Sequence, residues 1–68
     1  MSVLEAERDK ARVNRDAAWR VLVRLHNEAA EITGAVSAAD LDAACVIYVQ
    51  AHLDLVIAEM KLAKDNET

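Results

Sequence analysis

A chain of 68 residues has room for one small domain, and a domain of that size rarely holds together without a disulfide, a metal or a second chain. Cys45 is the only cysteine, so a disulfide within the chain is excluded. With 54% apolar residues, no proline and a net charge of −4, the composition excludes disorder and lacks the net basic face that a duplex-DNA binder needs.

The opening segment, MSVLEAERDKAR, mixes both signs of charge and does not resemble a signal or transit peptide. Ser2 followed by Glu5 matches a capping box, which predicts a helix from Ser2 to about Thr33. From Ala17 to Ile32 this helix is apolar over a wide arc that includes Ala18, Val21, Leu22, Leu25, Ala29 and Ile32. From Glu5 to Asp16 it is dominated by charge, and Arg8 and Arg15 interrupt the seam formed by Leu4, Ala11 and Ala18. The loop end is therefore expected to hold a dry core, and the open end to be the looser half. Pairs at four-residue spacing, Arg12 with Asp16 and Arg24 with Glu28, are expected along the helix surface.

Gly34, the single glycine, stands where a left-handed residue would end the first helix. Ser37 then caps a second helix, with Asp40 at the reciprocal position and Val36 and Leu41 placed to pack across the cap. The second helix is expected over about residues 38–64, with Lys61 and Lys64 near its C-terminus and Asn66 to Thr68 frayed. Residues 1–68 thus read as a single all-α domain, an antiparallel two-helix hairpin of about 2–33 and 38–64.

The second helix carries two apolar stripes. One runs through Leu41, Ala44, Tyr48, Ala51, Leu55, Ala58 and Leu62, the other through Val46, Val49, Leu53, Val56 and Met60. At about 100° per residue they point roughly 160° apart, so one neighbouring helix covers only one of them. Leaving the second stripe in water forgoes roughly 8–15 kcal/mol, comparable to the whole stability of a small domain. The alanines of the first stripe suit a close intrachain pair, which leaves Val46, Val49, Leu53, Val56 and Met60 as the expected dimer interface. The assembled form is then a homodimer resembling a four-helix bundle. The longest unbroken apolar run, Ala43 to Val49, is far below the ~20 residues of a membrane helix, so no membrane partner is expected.

Three polar residues, Cys45, His52 and Glu59, separate the two stripes, and an antiparallel register sets Trp19 level with His52, His26 with Cys45, and Arg8 or Arg15 with Glu59. The simplest reading makes Cys45 a small buried filler and the histidines satisfied interior or boundary groups. A metal- or small-ligand-binding bundle using His26, Cys45 and His52 is the alternative, although no CxxC or HxxxH spacing supports it. Catalysis is not expected, because no oxyanion site accompanies the Cys–His pair. No cofactor is expected either. Arg8, Arg12 and Arg15 near Trp19 form a candidate partner-binding surface, since Trp and Arg dominate interface hot spots. The function expected is a cytoplasmic, non-enzymatic protein-binding module: a regulator, adaptor or accessory inhibitor of the kind phages and mobile elements carry.

Overall fold

The computed structural model describes residues 2–67 as two helices, α1 (Val3–Glu31) and α2 (Ala38–Glu67), packed side by side as a hairpin. Each end is fixed by a short-range polar contact. The Ser2 hydroxyl oxygen accepts from the Glu5 backbone N–H at 3.1 Å, and its O–H donates to the Glu5 carboxylate at 3.3 Å. Ser37 repeats the cap for α2, accepting from the Asp40 N–H at 3.1 Å.

The turn differs from the sequence expectation. α1 stops at Glu31, two residues early, because Ile32 leaves helical space at φ −127° and ψ 108° while its N–H still bonds the Glu28 carbonyl at 3.0 Å. Gly34 is not the residue that closes the helix. It sits third in a β-turn from Ile32 to Ala35, closed by the Ala35 N–H on the Ile32 carbonyl at 3.1 Å. Its φ of +85° is what a type II turn requires at that position. At the other end α2 continues through Glu67, so Asn66 remains helical, and Thr68 lies outside the described residues.

α1 covers the stripe Leu41, Ala44, Tyr48, Ala51, Leu55, Ala58 and Leu62, all of which are buried or half-buried. The dry part of that contact is not at the loop end. Ala11, Leu55 and Ala58 cluster together toward the open end, and the only other buried residue among those described is Ala44. Two facts explain the reversal. Alanines at 11 and 58 let the helices close around Leu55, which is 3% exposed. Arg8 and Arg15 do not enter the seam as unpaired charges. Each side chain is half-buried and bonds the neighbouring aspartate, Asp9 or Asp16, at 3.0 Å. At the loop end Leu22, Leu25 and Leu41 are only half-buried, Trp19 and Val21 stay exposed, and Val46 and Val49 lie on the uncovered stripe.

The result is a rod of 53 × 17 × 13 Å with a radius of gyration of 15.5 Å, against about 11 Å for a compact domain of this length. Its accessible surface of 5116 Å² exceeds by roughly 870 Å² what a compact chain of 7.5 kDa exposes.

Candidate functional site

The uncovered stripe of α2 is a continuous exposed apolar surface of the hairpin. Val46, Val49, Leu53, Val56 and Met60 are 37–66% exposed. Ile57, which the stripe pattern left out, joins them at 50%. A helical wheel places it about 20° from Val46, so the signal was present but lay outside the strict three-four spacing. Ile47 is also exposed, on the opposite flank, beside a shallow depression lined by Asn14, Ala17, Ala18, Val21 and Ala44.

On the other flank the chain gathers all its aromatic rings. The Trp19 and Tyr48 rings lie 5.2 Å apart and tilted, and the Tyr48 ring stacks on the His52 imidazole at 6.0 Å. Trp19 is therefore level with Tyr48 and not with His52, which follows one turn further along α2. Next to this row Trp19, Leu22, Val23, His26, Leu41 and Cys45 line a hollow of about 360 Å³. The structure thus brings His26 and Cys45 to one place and leaves His52 apart, on the far side of Tyr48. Among the described residues no three His, Cys, Asp or Glu side chains come together to hold a metal. The thiol of Cys45 is exposed and free.

The arginines expected to face Glu59 take their own neighbours. In both ion pairs Nε and Nη2 converge on one carboxylate oxygen, at 3.0 to 3.1 Å for Arg8 and Asp9 and at 3.0 to 3.3 Å for Arg15 and Asp16. Asp16 is therefore held by Arg15 and not by Arg12. Arg24 and Glu28 meet at 4.0 Å on the surface as the spacing predicts. Arg8, Arg12, Arg15 and Trp19 fall within an arc of about 60° on α1. Of these, Arg12 and Trp19 are exposed, while Arg8 and Arg15 are half-buried.

α2 from Ala38 to Asn66 is long and apolar enough to cross a membrane, judged by length and composition alone. Counting only unbroken apolar runs missed this, because Gln50, His52 and Asp54 interrupt a segment whose average is nonetheless apolar. No family model matches the chain, and no curated protein or solved structure is significantly similar to it.

Proposed function

We propose that this protein is a non-enzymatic interaction module: a helical homodimer that binds another protein and modulates it. One observation carries the reading. Among the described residues the hairpin buries a single large apolar side chain, Leu55, and leaves six on α2 alone facing outward on one side. Fully burying such a side chain contributes about 1.5–3 kcal/mol, and at 37–66% exposure covering each one gains roughly half of that. A second chain supplies that cover. The flank with Arg12 and the half-exposed Trp19 then stays available to a different protein, and its residue types are those that dominate binding hot spots.

Insertion of α2 into a bilayer is the competing use of the same residues, and the length and mean apolarity of the helix favour it. Its chemistry weighs against that use. Asp54 would sit near the bilayer centre at a cost of about 2.5–3.5 kcal/mol, with Gln50 and His52 beside it. The hollow at His26 and Cys45 offers two donors at most from one chain, which leaves a metal-binding bundle as the weaker alternative.

Sedimentation of the full chain at micromolar concentration tests the assembly, and a well-folded monomer would refute it. For the second partner, capture from the source cell should be lost with both Trp19→Ala and Arg12→Glu. Equal capture by wild type and both variants places the partner elsewhere.

A further inference from the structure

The exposed stripe of α2 is charged at its two ends, and the charges are opposite. Asp42 stands one turn before Val46, and Lys64 one turn after Met60. At about 100° per residue Asp42, Val46, Val49, Leu53, Val56, Met60 and Lys64 share an arc of about 80°. Lys64 lines the same shallow surface as Ile57 and Met60, and both charged residues are exposed. Read backwards, this series is complementary to itself. About Leu53, Asp42 pairs with Lys64, Val46 with Met60 and Leu53 with Leu53, while Val49 meets Ile57 at the edge of the arc and Val56 meets Gln50. A two-fold interface requires just this property, since residue i must meet j while j meets i.

We propose that two copies of the chain pack α2 against α2 in antiparallel fashion, with Leu53 on the two-fold axis and Asp42 of each copy facing Lys64 of the other. The proposal rests on the dimer reading above and adds its orientation and register. Parallel packing would set Asp42 beside Asp42 and Lys64 beside Lys64, two like-charge contacts at the rim. Antiparallel packing converts both into attractions and also opposes the two helix dipoles. The rod as a whole exposes roughly 870 Å² more than a compact chain of its mass, enough to supply the ~800 Å² that each partner contributes to a stable interface. A membrane surface fits the face less well. Interfacial helices carry Lys and Arg on their polar side, whereas the polar side of α2 carries Gln50, Asp54, Lys61 and Asp65.

The test uses full-length chains in which Cys45→Ala removes the native thiol. Val46→Cys and Met60→Cys are added singly, and a short bis-maleimide reports which positions meet. A link between 46 and 60 on mixing the two variants, with neither linking to itself, is the expected result. Links from 46 to 46 and from 60 to 60 in a chain that still sediments as a dimer would overturn the orientation and leave the dimer reading intact. A monomer that binds lipid vesicles, or remains monomeric without them, would overturn both. Charge exchange gives an independent readout. Asp42→Lys should weaken self-association roughly tenfold. Combining Asp42→Lys with Lys64→Asp should restore it. Affinity that ignores both changes would overturn the proposed register.

Discussion

The covered and uncovered faces of α2 follow the same helical spacing and are both apolar, yet their side chains differ in shape. The face against α1 alternates large residues with Ala44, Ala51 and Ala58. Small residues let a neighbouring backbone come close, and the buried cluster of the hairpin is where Ala11 and Ala58 accompany Leu55. The opposite face has no alanine in its seam. Its Val, Leu, Ile and Met side chains stand further from the helix axis and suit a looser, wider contact. Residue size, and not hydrophobicity, therefore separates the face that meets α1 from the face left uncovered.

The largest expected effect sets the two faces directly against each other. Leu53→Asp places a carboxylate on the uncovered face. If that face is merely solvated, stability should change by less than about 0.5 kcal/mol, as for other surface positions. If a second copy covers it, self-association should weaken by about 3 kcal/mol or more, since the two aspartates would be buried without partners. Sedimentation and urea unfolding together distinguish the outcomes. Leu55→Ala does the same for the covered face. It removes the most buried large side chain and should lower stability by about 2–5 kcal/mol. A loss confined to dimer affinity, with the helices intact by circular dichroism, would mean that the faces had been assigned the wrong way round.

Smaller effects test the flank and the turn. Trp19→Ala should cost about 1.5–2.5 kcal/mol, because the ring is half-exposed but loses its contact with Tyr48. An unchanged thermal midpoint would mean that the flank contributes nothing to the hairpin and serves only partners. Gly34→Ala should cost about 1–2 kcal/mol. The added Cβ meets nothing within 4 Å, so the whole effect comes from holding an L-residue at φ +85°.

Much of the hairpin is legible in the sequence. Ser2 and Ser37 announce both helix starts, and the alanines of one stripe, not the spacing shared by both, point to the face of α2 that meets α1. The turn was less legible, because Ile32 and Thr33 fit helical periodicity. Their exit depends on a β-turn that competes with one more helical turn. The end that carries the core was misleading for a different reason. Counting apolar residues favours the loop end, but closeness of approach depends on alanines, and Ala11 lies amid charge. For the candidate site, the exposed stripe could be read from spacing. Ile57 was readable from the helical wheel but lay outside the strict three-four spacing, whereas the match of Trp19 with Tyr48 depends on the exact register of the helices.

The smallest expected effect concerns the two arginines that seem to spoil the seam at the open end. If their charged heads hold the helices together, replacing them should loosen the Ala11, Leu55 and Ala58 cluster. The geometry argues otherwise. Each head bonds only the aspartate beside it on the same helix, and both aspartates are more than 40% exposed in their side chains. Such pairs are worth about 0–1 kcal/mol and tie α1 to itself, not to α2. What the arginines give the interface is the aliphatic stem. Methionine keeps a stem of similar length without the charge. Arg8→Met and Arg15→Met should therefore each change stability by no more than about 0.5 kcal/mol, with little dependence on salt. Alanine at the same positions should cost more than methionine, since it removes the stem as well. Urea unfolding at low and high ionic strength decides the point. If methionine proves as damaging as alanine and salt removes the difference from wild type, the charges bridge the helices after all.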